Sequence, residues 1–195
     1  MTGAIILAAG SSSRLGLPKQ NLMFQGRTLL ERAVCNALES DCEKVIVVLG
    51  ANVEHITFHK EDKNITILQN NDWEEGMASS IRLGIAKLQQ LIPKASSAIL
   101  MLCDQPFADA ALLNQLIRQK SEGKKEIIAS AYNGTFGPPA LFDKNKFAEL
   151  LQLTGRDGAK KIIAKYVAEL DTVPFPLGII DIDTSGDYER LENEF

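Results

Sequence analysis

The stretch Ala8-Ala9-Gly10-Ser11-Ser12-Ser13-Arg14-Leu15-Gly16-Leu17-Pro18-Lys19 strings small residues around one arginine and one lysine. Small side chains let backbone N–H groups come close to an anion. Arg14 can grip two oxygens in a fork, and Lys19 carries a mobile point charge. That chemistry is the binding of a polyphosphate. The competing reading is an ordinary strand-to-helix loop, whose serines satisfy the backbone and whose two cations are solvated. Two familiar phosphate loops are excluded by spacing. Five residues separate Gly10 from Gly16, and Lys19 does not directly follow the second glycine, so the loop is not a Walker A; GxGxxG is absent.

Acidic residues stand further along. Cys103-Asp104-Gln105-Pro106 follows an apolar run, and a carboxylate leaving a parallel sheet there points into the crevice where ligands bind. Asp104 is therefore a metal-ligand candidate, set against an aspartate that only closes a turn before proline. Asp181 and Asp183 alternate within Gly178 to Asp183, which reads as a last strand with both carboxylates on one side. Asp183, nearer the strand end, is the one placed to reach an ion held by Asp104, although a solvated strand face shows the same alternation. The polar segment Asn70 to Ser80 leads into a helix, and its free N–H groups are available to a base or ribose. An N-cap at Ser79 or Ser80 accounts for the serines without a ligand, and Trp73 fits the core equally well.

Other chemistry is weaker. His55 and His59 lie four apart, but the glutamate of HExxH is missing and two ligands do not complete a zinc site. Cys35, Cys42 and Cys103 form neither a CxxC nor an even disulfide set, which points to a reducing compartment, the cytoplasm.

The elements that must position these residues are legible as three apolar runs: Ala4 to Leu7, Val45 to Leu49 and Ala98 to Leu102. Runs apolar on both faces suit central parallel strands covered by helices on both sides. Thr28 and Glu31 form a capping box ahead of an amphipathic stripe at Leu29, Leu30, Ala33, Val34 and Ala37. Further helices are predicted from Ser79 or Ser80 through Leu88, from Asp109 through Ile117, and, capped by Thr184 and Asp187, at the end. Between them we read a strand at Glu126 to Ala131, a loop through Gly137-Pro138-Pro139 and a short run at Ala140 to Phe142. The expected fold is a single α/β domain over residues 1–195, an open and mostly parallel sheet with its site at the strand ends.

The totals agree with a small-molecule enzyme. The 195 residues are 45% hydrophobic and 24% charged, enough for one core. A net charge of −4 argues against a nucleic-acid surface. No apolar run approaches the ~20 residues of a membrane helix, and Ala4 to Ala9 is too short, and lacks the charged lead, of a signal peptide.

Taken together, Leu7 to Lys19, Asn70 to Ile81, Leu102 to Pro106 and Asp181 to Tyr188 resemble the molybdenum cofactor cytidylyltransferase family, which is similar to the corresponding guanylyltransferases and belongs to the GT-A-like nucleotidyltransferases. The resemblance spans almost the whole chain. It implies nucleotide contacts at Leu7, Ala8, Ala9, Gly10, Ser11, Arg14, Lys19, Gly76, Ser79 and Ser80. Catalytic roles fall to Arg14, Lys19 and Asp104, Mg²⁺ ligation to Asp104 and Asp183, and the acceptor side to the region of Leu141 and Phe142. Ala8-Ala9-Gly10, where guanylyl members carry Ala-Gly-Gly, implies CTP as donor. The implied acceptor is the molybdenum cofactor, and the implied partner is a molybdoenzyme or its chaperone. Ser185 and Gly186 depart from the proline and glutamate common in the family.

Overall fold

A computed structural model describes residues 1–56, 58 and 62–195 of the chain. The three apolar runs become β1 (Thr2–Ala8), β4 (Lys44–Leu49) and β6 (Ser97–Leu102), with β1 paired in parallel to both of the others. The short hairpin of β2 (Met23–Phe24) and β3 (Arg27–Thr28) stands apart. Four more strands, β5 (Ile65–Gln69), β7 (Ile127–Tyr132), β8 (Thr135–Asp143) and β9 (Asp171–Pro174), complete a seven-stranded sheet ordered β5-β4-β1-β6-β8-β7-β9. Only β8 runs against its neighbours.

Because β1 is buried on both faces, its side chains feed two cores. Ile5 and Leu7 pack under α2 (Met77–Leu91), α4 (Phe147–Leu150) and α5 (Ala159–Lys165); Ala4 and Ile6 pack under α1 (Leu29–Glu39) and α3 (Ala110–Glu122). The capping box of Thr28 and Glu31 starts α1, and the Asp109 carboxylate caps α3 by accepting from Leu112 N–H. Thr184 and Asp187 form a second capping box at α6 (Ser185–Glu194). A small third cluster joins Leu22, Phe24, Leu29, Ile182 and Leu191.

Three expectations need correction. The Ser79 or Ser80 start of the second long helix is wrong: α2 begins at Met77 behind Gly76, and both serines are buried within its first turn. Gly76 sits at φ 123°, and a Cβ there would fall 2.5 Å from the Gly155 carbonyl oxygen, so only glycine fits this entry. The loop expected at Gly137-Pro138-Pro139 is strand: β8 continues through it, with Pro138-Pro139 in cis. The prolines are tolerated because β6 pairs only with Ala140 to Asp143, while on the other side the ladder shifts at Ala129/Ser130 and the Ser130 hydroxyl donates to the Pro139 carbonyl. Lastly, the expected strand at Gly178 to Asp183 does not form. Pro176–Ile179 is a 3₁₀ turn, and the segment after it is irregular, held by the buried side chain of Ile182 and one bond from Ile182 N–H to the Asp104 carbonyl.

Candidate active site

The site lies where β1 and β6 end, at the edge between the outgoing and returning halves of the sheet, the place open α/β sheets reserve for ligands. β1 releases the chain into the loop of Gly10 to Lys19. Ser12 takes a positive φ of 53°, its carbonyl accepts from Leu15 and Gly16 N–H, and its hydroxyl accepts from Lys19 N–H. The buried Gln20 amide donates to the Ala8 carbonyl at 2.6 Å. The loop is thus tied down at both ends, while a Cβ on Gly10 would meet nothing within 4 Å, so the low wall there faces open space.

Lys19 is the hub. Its Nζ donates to Asp104 Oδ2 at 2.6 Å and Asp183 Oδ1 at 2.8 Å, with the Ile182 carbonyl at 3.3 Å. Arg14 closes the network by donating to Asp183 Oδ2 at 2.7 Å. Burial by itself would lower the lysine's pKa, yet the Asp104 charge and then Asp183 more than reverse it, and the ammonium is held protonated well above the ordinary lysine range. The Lys19 hydrogen bond, against the effect of burial, keeps Asp183 below the ordinary carboxylate range, and Arg14 adds to it. Beside them the Cys103 thiol is pushed up to about 12 by burial and by Asp104, so it stays neutral and unreactive.

Two observations bear on a divalent metal. Asp104 Oδ1 is buried without a hydrogen-bond partner among the described residues, leaving a carboxylate lone pair for a further cation. Two carboxylates balance two cations, so the network has no positive charge to spare for a triphosphate. A divalent ion on the carboxylates would release both side-chain cations for the phosphates. Mg²⁺ is commonly held by one or two carboxylates plus substrate phosphates, so Asp104 and Asp183 fit such an ion. No group of three or more His, Cys, Asp or Glu among the described residues is arranged to hold a metal ion by itself; His55 is exposed and lies 3.5 Å from Glu54, and His59 falls outside the described residues.

A cavity of about 300 Å³ opens beside this hub. Of the residues expected to touch nucleotide, Leu7, Ala8, Ala9, Gly10, Ser11, Lys19, Gly76 and Ser80 line it, as does Asp104. Arg14, Ser79 and Asp183 do not. Arg14 and Asp183 stand at its edge through Lys19. Ser79 is turned inward, its hydroxyl donating to the Gly76 carbonyl and accepting from Asn70. The α2 N-terminus is less free than expected, because Ala78 N–H donates to the Gly155 carbonyl. Trp73 does line the cavity, and Gly50 lets it approach: a Cβ at Gly50 would fall 2.7 Å from that of Trp73 and 2.8 Å from that of Ala9.

Sequence reading missed the latch behind this wall. Arg82 forks onto both Glu75 oxygens at 2.7 and 2.5 Å and also donates to the Leu153 carbonyl, while Glu75 accepts from Gly155 N–H. These bonds drive Glu75 down to about 2 and hold the Gly155 loop against Gly76. The seven-residue spacing of Glu75, in the turn before α2, and Arg82, within it, is the local signal. Leu141 and Phe142, expected near the acceptor, are fully buried in the two cores and do not line the cavity.

Residues 4–171 match the model of the MobA-like NTP transferase domain. The chain is 28% identical to the molybdenum cofactor cytidylyltransferase of Escherichia coli (strain K12) across 98% of its own length and 95% of the relative's. It is 33% identical to nicotine blue oxidoreductase of Paenarthrobacter nicotinovorans over 70% of its own length, a match that spans 65% of that relative. A crystal structure of a Mycobacterium tuberculosis H37Rv protein in complex with manganese is similar at a TM-score of 0.80 and 25% identity, covering 100% of this chain and 99% of the other.

Proposed function

This chain belongs to the MobA-like NTP transferase family, and on that premise we propose that it moves CMP from CTP onto the terminal phosphate of the molybdenum cofactor, releasing pyrophosphate. The observation that carries the reading is the convergence of Lys19, Asp104 and Asp183 at the mouth of a cavity walled by the loop after β1. Ala9 is the residue that supports CTP over GTP, and the likeness to a molybdenum cofactor cytidylyltransferase supports that acceptor.

In this reading Asp104 and Asp183 hold Mg²⁺, and the manganese complex of the mycobacterial neighbour supports a divalent ion. The ion supplies charge neutralisation and Lewis acidity at phosphate oxygens. The Gly10 and Ser11 backbone lies against the triphosphate, and Gly76, Ser80 and Trp73 wall the base and ribose. An oxygen of the acceptor phosphate attacks the α-phosphorus; that O–P bond forms as the bond to the β-phosphate oxygen breaks, and the electron pair leaves with pyrophosphate. A phosphate monoester is already anionic at neutral pH, so no strong base is needed, and the protein works by positioning and electrostatics. Lys19 and Arg14 offset the charge that gathers on the leaving group.

The test is pyrophosphate release with each ribonucleoside triphosphate and Mg²⁺, with and without molybdenum cofactor. Because one relative is named an oxidoreductase, release and not nucleotide binding is the deciding readout. Cofactor-dependent release with CTP is expected. Preference for GTP would move the chain to guanylyl transfer, and binding of CTP without release would make it a nucleotide-binding regulator.

A further inference from the structure

The four oxygens of Asp104 and Asp183 are shared out unevenly. Asp104 Oδ2 and Asp183 Oδ1 accept from Lys19 Nζ at 2.6 and 2.8 Å, and Asp183 Oδ2 accepts from Arg14 at 2.7 Å. Only Asp104 Oδ1, buried, has no hydrogen-bond partner among the described residues. An ammonium has three N–H bonds to donate, and the Ile182 carbonyl at 3.3 Å takes the third. Lys19 is therefore fully satisfied where it stands, and its side chain is only 13% exposed. The carboxylates that meet on it are positioned by other bonds. Ile182 N–H donates to the Asp104 carbonyl, which ties the two segments together, and the Asp187 carboxylate accepts from Asp183 and Thr184 N–H at the start of α6. The acidic pair is thus held in place by more than the lysine.

A divalent ion that bridges Asp104 and Asp183 needs an oxygen from each. Both oxygens of Asp183 already face a cation, and the ammonium stands on the line between the two carboxylates. Ion and ammonium therefore compete for one place. A dication beside a poorly hydrated ammonium is repelled, because little water screens the two charges. Pushing Lys19 aside also strands three donors, a cost that an anion with free oxygens would remove. We infer that Lys19 competes with the divalent ion for Asp104 and Asp183, so that the chain without a phosphate ligand binds the ion weakly and neutralising this one cation tightens the binding. The competition is read from the three bonds of the ammonium; that an ion sits on these carboxylates rests on the nucleotidyl-transfer reading. Lys19 then has opposite effects on the two ligands, attracting phosphate and opposing metal. By linkage, whichever ligand draws the ammonium off the carboxylates favours the other.

The experiment titrates the full chain with Mn²⁺, free of nucleotide and phosphate, and follows the unbound ion by electron paramagnetic resonance. The readout is the binding lost when Asp104→Asn is added to each protein. Lys19→Met is expected to bind Mn²⁺ about tenfold or more tightly than wild type, within the usual range of coupling between linked sites. Arg14→Met, at an exposed side chain, frees Asp183 Oδ2 alone. It gives a smaller gain in the same direction and covers the case in which Lys19→Met fails to fold. Lys160 is exposed at a smaller hollow of about 140 Å³, which shares Leu102 with the nucleotide cavity. Lys160→Met removes one positive charge without touching either carboxylate and leaves the affinity unchanged. Equal or weaker Mn²⁺ binding by Lys19→Met overturns the inference. So does an equal gain in Lys160→Met, which would make net charge the cause. If no protein in the series shows binding that depends on Asp104, the metal reading itself fails and takes the inference with it; Asp104-dependent binding that Lys19→Met does not tighten defeats the inference alone.

Discussion

Lys19 holds two carboxylates that lie 85 and 164 positions away in the chain, and its removal separates binding from chemistry. Lys19→Met is expected to lower turnover by about 100-fold or more, the loss typical when one preorganised charge partner of a transition state is deleted, which steady-state pyrophosphate release measures directly. Asn70 is a structural counterpart. Buried at 4% exposure, its amide donates to Ser79 and Ser80 Oγ while its carbonyl oxygen accepts from Asp72 N–H. Asn70→Ala leaves buried hydroxyls short of a partner and should destabilise the fold by about 1–3 kcal/mol, seen as a lowered denaturant midpoint. The cationic loop and Asp104 were legible because residue type and strand-end position announce them. Their convergence on one ammonium was not, since contacts this far apart in sequence leave no local pattern.

At the scale of elements, the Glu75–Arg82 latch gives a pH signature. The arginine bonds, helped by Gly155 N–H, depress Glu75 from an ordinary 4.5 to about 2 in the folded chain. A depressed acid contributes stability that is present above its unfolded value and lost as pH falls towards its folded value. Wild type should therefore lose stability between about pH 4.5 and 2 more steeply than Glu75→Gln, in denaturant titrations across that window. Packing gives a second prediction. Gly84 on α2 lies over β1, and a Cβ there would fall 2.5 Å from Ile5 Cγ2; Gly84→Ala should cost about 1–3 kcal/mol by overpacking despite better helix propensity, read as a lowered melting temperature. The sequence displays β1, β4 and β6 because burial on both faces writes continuous apolar runs, and it displays α1 and α6 because capping boxes are local. It conceals β8, whose prolines look like a loop until the shift at Ser130 absorbs them. Asn133-Gly134, both at positive φ, is the hairpin signal between β7 and β8 that a closer reading could have used. The Asp181 to Asp183 alternation misleads, because Ile182 is buried by a small side cluster and not by a ladder.

The whole molecule places two cavities on either side of the end of β6, one walled by the cationic loop and one by Gln105 and Tyr132. No helix among the described residues is long and apolar enough to cross a membrane. A ligand that binds only the folded chain stabilises it by mass action, so CTP with Mg²⁺ at a hundredfold excess over Kd should add about 2.7 kcal/mol; chelation of the metal should remove most of that gain in thermal melts. The most direct test of the central claim follows the phosphorus atom itself. CTP labelled at the α-phosphate is incubated with molybdenum cofactor and Mg²⁺, using wild type and Asp104→Ala. The account predicts that label passes to the cofactor with wild type, and that Asp104→Ala, folded as judged by circular dichroism, transfers none. Transfer of label from the γ-phosphate instead, or substantial α-label transfer by Asp104→Ala at saturating magnesium, would contradict it.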